Sequence, residues 1–259
     1  MYQAKNNYFF LGVLLCSLYL ACSFSETPSQ MPVPNPFAKS EQLLIVTSPN
    51  DSMITGTMYR FERKGQHAWQ AIGEAHPVTL GKHGMGWGQG LHESQTGYYR
   101  TEGDGKSPMG IFSLGSAFGY AKAADAPVME LDYIHLDDNT QCIEDNESAY
   151  YNQIIQDTSI QKDWKVADFM RRDDDHVYKW GIFVNHNIPA QGKAGSCIFL
   201  HLWRAADKPT LGCTGMEEAR LLDLLGWLSP KKEPRLVQLV ESDYPRFQQE
   251  YGLPDLGFR

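Results

Sequence analysis

Short apolar runs bounded by turn residues dominate the chain after its first forty positions. Such runs, rich in Val, Ile, Leu, Tyr and Phe and only a few residues long, are typical of strands. Seven of them predict strands, at 43–47, 53–63, 69–72, 77–80, 180–187, 196–203 and 236–240. The segment 188–192 between two of these runs is turn-like. The pattern predicts a mainly β, sandwich-like fold.

Helical periodicity is clearest over residues 216–228, where leucines recur on one face. Thr214 is placed to cap the N-terminus of this helix. Weaker helical patterns cover 150–155 and 166–170, and 244–251 predicts a short terminal helix. We therefore expect a few peripheral helices around the β structure, and not alternating βαβ units.

Two segments are interpreted as loops. Glycines recur throughout residues 81–119. Within them, the stretch 81–88 is predicted to be a structured loop. It is not predicted to bind phosphate, because it lacks the strand-then-helix context of a phosphate-binding loop. The charged run 171–176 reads as a solvated loop.

The N-terminal region predicts export. The apolar stretch 8–21 is too short for a comfortable membrane span, so residues 1–23 read as a signal peptide or a lipoprotein signal. In the second alternative Cys22 becomes the lipidated first residue of the mature chain, and this anchor is the expected membrane contact. Prolines among Ser, Thr and Gln make 24–40 an extended tether. Residues 41–259 are then a single folded domain.

Composition and charge narrow the class of partner. The chain has 259 residues, 42% of them hydrophobic, and a formal net charge of −8. One sizeable core is the ordinary expectation for this length. The acidic balance disfavours nucleic acid as a partner, because a phosphate backbone requires a basic surface.

One His and one Cys stand in a context that suits nucleophilic catalysis. The predicted strand 196–203 carries His201, a loop reverses the chain, and Cys213 arrives just before the predicted helix. A nearby base and a helix N-terminus both favour the thiolate, which predicts a thiol pKa below that of a free cysteine. The N–H groups from Gly212 to Thr214 are candidate oxyanion donors.

His201 and Cys213 have two other interpretations, a packing role and a zinc site. A histidine on an apolar strand and a cysteine in a core are commonly packing residues. His186, His201 and Cys213 are also potential zinc ligands, but no paired ligand spacing of the Cys-x-x-Cys or His-x-x-x-His kind occurs, so no metal site is predicted.

Two motifs resemble the L,D-transpeptidase (YkuD-type) catalytic domain. The first is the stretch 195–216, with its strand histidine followed by Thr210-Leu211-Gly212-Cys213. The second is the stretch 100–112, which is similar to the family's Lys/Arg-x-Glu-Gly-Asp and Thr/Ser-Pro-x-Gly-x-Phe element. The resemblance covers roughly residues 75–240 and implies a compact β-sandwich-like domain.

The resemblance also implies a reaction. Cys213 would attack an L,D peptide bond of a peptidoglycan stem peptide, and an amine of another stem or of an envelope protein would resolve the acyl-enzyme. His201 would be the general base, oriented by a backbone carbonyl near Thr210 or Gly212. No metal or organic cofactor is implied. The alternatives are an L,D-carboxypeptidase, in which water resolves the same intermediate, and a non-catalytic cell-wall-binding module.

The sequence departs from the commoner family pattern beside the cysteine. Many members carry Arg or Asn two residues after it, where this chain has Gly215. Arg204 and His186 are the candidates for the missing substrate contact. Export and the odd count of three cysteines outside the leader predict that Cys142 and Cys197 pair and leave Cys213 free.

Overall fold

The computed structural model describes residues 1–2 and 35–258. The described residues form fourteen strands, which are β1 Gln42–Ser48, β2 Thr55–Glu62, β3 Gln70–Ala71, β4 His76–Thr79, β5 Met85–Trp87, β6 Ser107–Gly119, β7 Tyr133–His135, β8 Gln141–Ile143, β9 Ile154–Ile155, β10 Ala167–Phe169, β11 Trp180–Val184, β12 Phe199–Leu202, β13 Thr214–Met216 and β14 Arg235–Val240. The two α-helices in the same residues are α1 Glu218–Trp227 and α2 Tyr244–Tyr251. The predicted mainly β class is confirmed.

Eleven strands form one large sheet that closes on itself. Its order is β1-β14-β6-β11-β12-β13-β4-β2-β3, and β1 also pairs with β2, which closes a ring from β1 to β2 and leaves β3 outside it. β5 and β7 pair with β6 outside the ring. Closure leaves few free edges, and the apolar side chains of β1, β6 and β14 fill the interior.

The helix that follows the predicted nucleophile begins later than the sequence indicates. α1 starts at Glu218, with Glu217 as its N-cap residue. Thr214 instead lies in β13, and its hydroxyl donates to Gln238 Oε1 at 2.8 Å. The predicted capping role of Thr214 is wrong because pairing between β12 and β13 extends the backbone there.

The helices predicted from the two weak patterns, at 150–155 and 166–170, are also wrong. Residues 150–155 form a turn followed by β9, and 166–170 contain β10. Asn152 takes a positive φ of 63°, which interrupts any helix. β9 and β10 flank β8 in a separate three-stranded sheet, so long-range pairing replaced the local periodicity.

The longest strand, β6, falls in the glycine-punctuated stretch 81–119, for which no strand was predicted. Its Gly110 has a φ of +138°, and a Cβ there would lie 2.0 Å from His92 Cε1. The glycine is therefore required by a close side-chain approach within a strand. Residues 85–87 of the predicted loop 81–88 form β5, which pairs with β6.

A disulfide joins the small sheet to the large one. Cys142 in β8 is bonded to Cys197, which lies just before β12, and Cys213 is the free cysteine of the described residues. The predicted signal, the lipidated Cys22 and most of the predicted tether lie outside the described residues. No helix within residues 1–2 and 35–258 is long and apolar enough to cross a membrane.

Loss of this disulfide is expected to destabilise the domain markedly. The bond closes a sequence separation of 55 residues, for which loop entropy predicts a loss of about 4 kcal/mol in the unfolding free energy. The measurement is urea unfolding of a Cys142→Ser/Cys197→Ser double variant beside the oxidised wild type. An unfolding free energy within about 1 kcal/mol of wild type would contradict the entropic argument.

Candidate active site

Strand pairing brings His201 and Cys213 to the same face of the sheet. β12 and β13 run parallel, with His201 opposite Gly215 and Leu200 opposite Thr214. Cys213 precedes Gly215 by two positions, and side chains two apart in extended backbone point the same way. The two side chains are 6% and 8% exposed and line the same cavity.

Gly215 is a steric requirement of this pairing. A Cβ at that position would lie 2.6 Å from Thr79 Oγ1 and 3.2 Å from Trp203 Cβ. There is no space for the Arg or Asn side chain that the commoner pattern places here. A substrate contact must therefore come from another element.

The backbone around Cys213 is held by hydroxyl groups. Thr210 Oγ1 and Ser107 Oγ donate to the Cys213 carbonyl oxygen at 2.6 and 2.9 Å. Ser107 Oγ also accepts from the Gly81 N–H at 2.9 Å. The sulfur accepts from the Phe199 N–H at 3.3 Å and contacts the Cys197 carbonyl oxygen at 3.5 Å. These contacts orient Cys213 without a helix terminus.

The His201 imidazole is oriented by its neighbour in the chain. His201 Nδ1 lies 2.8 Å from the Leu202 carbonyl oxygen. Because a carbonyl oxygen only accepts, Nδ1 donates, which leaves Nε2 with the lone pair that a general base requires. The orienting carbonyl predicted near Thr210 or Gly212 is thus replaced by that of Leu202.

Burial keeps the thiol and the imidazole neutral at physiological pH. Desolvation raises the pKa of Cys213 to about 12, and the Phe199 N–H only partly offsets it. Desolvation also lowers the pKa of His201 to about 4. The expectation of a lowered thiol pKa is therefore wrong for the free protein, because the helix end invoked for it lies beyond β13.

Two cavities of about 220 Å³ each meet at Cys213. His201, Arg204 and Lys208 line the one that we call the first cavity. Arg100 and Lys82 line the other, the second cavity. Leu211 is 75% exposed and borders both. The free thiol is thus reachable from two sides.

A Tyr and two acids are shared by both cavities. The Tyr178 hydroxyl donates to Asp168 Oδ2 at 2.7 Å, and its ring meets that of His201 edge to face at 5.4 Å. Arg172 pairs with Asp168. Desolvation, followed by repulsion from Asp168 and Glu102, raises the pKa of Glu144 to about 7. The small sheet therefore contributes charged groups to the site.

Of the two residues predicted to contact the substrate, only Arg204 lines a cavity at Cys213. Arg204 lines the first cavity, where its guanidinium pairs with Asp175. His186 is 1% exposed, packs against Phe112 and lines neither cavity, so the prediction that it contacts the substrate is wrong. It lies beyond the end of β11, and that carries it away from His201.

The predicted oxyanion donors are the N–H groups from Gly212 to Thr214. The Gly212 N–H donates to Thr210 Oγ1 at 3.1 Å and is therefore engaged in the loop. Thr210 acts by holding this loop and the Cys213 carbonyl. Thr214 extends the pairing with β12.

Several residues that shape the site were not identified from the sequence. They are Glu144, Asp168, Arg172 and Tyr178, together with the hydroxyl role of Ser107. Arg172 belongs to the charged run interpreted as a solvated loop. Only Ser107 carried a signal, because it belongs to the second motif. The others come from β10 and from loops next to β8, β10 and β11, whose pairing no local pattern reveals.

No group of three or more His, Cys, Asp or Glu side chains in the described part of the chain is arranged to hold a metal ion. The zinc ligand set considered from the sequence also separates in space, since His186 lies outside the two cavities at Cys213.

The sequence matches the family described as the L,D-transpeptidase catalytic domain, YkuD, over residues 45–238. This span covers most of the chain and includes both motifs and both candidate catalytic residues. The protein belongs to the L,D-transpeptidase catalytic domain family. No curated protein and no solved structure matches the chain.

Proposed function

We propose that the protein is an L,D-transpeptidase that uses Cys213 to form an acyl-enzyme with peptidoglycan stem peptides. The observation that carries the proposal is the placement of the free thiol where two cavities meet, with His201 lining one of them. A transferase needs access for an acyl donor and for an amine acceptor, and the two cavities supply both.

The neutral thiol–imidazole pair determines how the reaction would begin. A thiol with a pKa of about 12 is not ionised at neutral pH. Its proton would therefore pass to His201 Nε2 as the sulfur attacks the scissile carbonyl carbon. The imidazolium would then protonate the departing amine, the C–N bond would break, and a thioester would remain on Cys213.

The second half of the reaction reverses these roles. An incoming amine attacks the thioester carbonyl, His201 accepts its proton, and the thiol is restored as the new amide forms. Since His201 lines the first cavity, the departing and incoming amines both belong there. Arg204 and Lys208 place positive charge in the same cavity, which suits the carboxylate of a departing D-amino acid.

The test is mass analysis of the domain after incubation with tetrapeptide muropeptides. We expect a covalent acyl adduct on Cys213, release of one D-amino acid and a cross-linked dimer. Cys213→Ala, whose backbone contacts remain available, should show none of the three. Turnover by Cys213→Ala, or an intact substrate with the wild type, would refute the proposal.

The same assay separates transfer from hydrolysis. Tripeptide product without any dimer or exchanged D-amino acid would identify an L,D-carboxypeptidase. Binding to sacculi without an adduct would identify a non-catalytic wall-binding module.

We also propose an envelope location, supported by the apolar N-terminal stretch and the oxidised Cys142–Cys197 pair. Anchoring through a lipidated Cys22 remains a prediction. Fractionation of a Cys22→Ser variant tests it, because the anchored protein should move to the soluble envelope fraction. An envelope protein remains an alternative acceptor to a second stem peptide.

A further inference from the structure

Arg100 is a buried cation beside Cys213 whose hydrogen-bonding capacity is largely unused. Its side chain is 3% exposed, and its Nε and Nη1 have no hydrogen-bond partner among the described residues. The carboxylate of Asp104 lies 3.7 Å from Nη2, beyond hydrogen-bond length. Burial of unpaired guanidinium N–H groups is costly. Nε and Nη1 are closed to solvent, so an anion in the adjoining cavity would be met by Nη2.

The surrounding backbone is shaped to accommodate this guanidinium. Gly195 has a φ of +97°, and a Cβ there would lie 2.6 Å from Arg100 Cζ. A Cβ on Gly212 would lie 3.6 Å from Arg100 Nη2. The Arg100 N–H donates to the Trp87 carbonyl oxygen at 2.8 Å, which fixes the base of the side chain. The arginine therefore occupies a defined place next to the Gly212–Cys213 peptide.

The acids nearest to Arg100 are already satisfied by other donors. Glu102 Oε2 accepts from the hydroxyls of Tyr151 and Ser196, at 2.5 and 2.7 Å. Asp104 accepts from the N–H groups of Thr101 and Lys106, at 2.8 and 3.0 Å. These carboxylates hold the loops together, so the cations of this wall keep capacity for another anion.

Arg100 and the exposed Lys82 line the second cavity, on the side of Cys213 away from His201. Asp168 lies across this cavity and is paired with Arg172. Glu102 and Glu144 are the other acids of this cavity, and desolvation raises the pKa of Glu144 to about 7. Lys82 and Arg100 are the cations of this lining, and the carboxylates of Glu102 and Asp104 beside them are held by hydrogen bonds within the protein.

We propose that Arg100, assisted by Lys82, binds a carboxylate of the acyl-donor peptide in the second cavity. This inference rests on the proposed function. Both amines of the reaction exchange protons with His201 and so occupy the first cavity. The acyl portion that stays on Cys213 must therefore extend the other way. In a stem peptide with meso-diaminopimelate at the acyl position, the side-chain carboxylate is the group that Arg100 recognises.

The experiment compares two tetrapeptide stems that differ only in whether the side-chain carboxyl of meso-diaminopimelate is free or amidated. The readout is the ratio of kcat/KM for the free acid to that for the amide. We expect wild type to favour the free acid by about tenfold or more, the range for a hydrogen bond to a charged group. Arg100→Gln should bring the ratio close to one, and Arg100→Lys should retain part of it.

A ratio measured within one variant is independent of the fraction of folded enzyme. Lys208→Gln removes a cation from the first cavity and should leave the ratio unchanged, whereas Lys82→Gln should lower it. If Arg100→Gln does not fold, the Arg100→Lys and Lys82→Gln ratios decide, and wild-type values in both overturn the assignment. Equal turnover of the two stems by wild type overturns the assignment alone. No turnover of either stem overturns the proposed function and this inference with it.

Discussion

Replacing His201 by alanine is expected to lower kcat/KM for acyl transfer by about 10²–10⁴-fold, the usual contribution of general acid–base catalysis. Cys213 has a pKa raised to about 12, so attack at neutral pH requires that its proton be removed during the reaction. The rate should be measured with muropeptide donors at pH 7, beside a His83→Ala control. His83 is exposed and its Nδ1 contacts the Asp104 carbonyl oxygen, away from the thiol.

The wild-type pH profile is a second readout of the same role. His201 must be neutral to accept a proton, and burial lowers its pKa to about 4. The acid limb of kcat/KM should therefore fall near pH 4 and not near the ordinary histidine value of about 6.5. Initial rates should be taken before any acid unfolding, with recovery at pH 7 as the check. A kcat/KM for His201→Ala within threefold of wild type would contradict the role of His201 as general base.

Acidification from pH 7 to pH 4 is expected to destabilise the domain by several kcal/mol. Burial lowers the pKa of His92 and that of His201 to about 4, and lowers that of His186 well below its ordinary value. The unfolded chain binds protons at these residues from about pH 6.5 downward, before the folded chain does, so stability is lost as the pH falls. Each pKa of about 4 corresponds to a loss of about 3 kcal/mol at pH 4.

Glu144 acts in the opposite direction. Its folded pKa, raised to about 7, means that protonation between pH 7 and about 4.5 favours the folded state. This gain is about equal to the loss from one of the two histidines whose pKa is about 4, so a net loss of stability remains.

Urea unfolding at pH 7 and pH 4 measures this dependence. His92→Asn keeps an acceptor for the Ile111 N–H, which donates to His92 Nδ1 at 3.1 Å. The variant should therefore lose about 3 kcal/mol less than wild type over this pH interval. His83→Asn is the matched exposed control and should follow wild type. An identical pH dependence for His92→Asn and wild type would mean that His92 is not buried in its neutral form.

Local sequence signals were sufficient for the class of fold and for the family. Short apolar runs bounded by turns recovered most strands of the closed sheet, because strands such as β1 and β12 are buried at every position and are therefore apolar along most of their length. The strand β6 around Gly110 was not predicted from its sequence. His92 lies so close to the backbone there that only glycine fits, so the apolar run is interrupted. The motifs around Asp104 and Cys213 led to the family without any knowledge of pairing.

The sequence by itself determined that the chain is mainly β, that it carries the family's His and Cys in order, and that its cysteines are odd in number outside the leader. Tertiary structure decided the ionisation of Cys213, the carbonyl that orients His201, and the place of Arg100 beside Gly195 and Gly212. The reason is physical: desolvation and the contacts of a buried charge depend on groups brought together from distant strands. A local sequence pattern predicts which segments are apolar strands, but not which distant residues contact them in the folded protein.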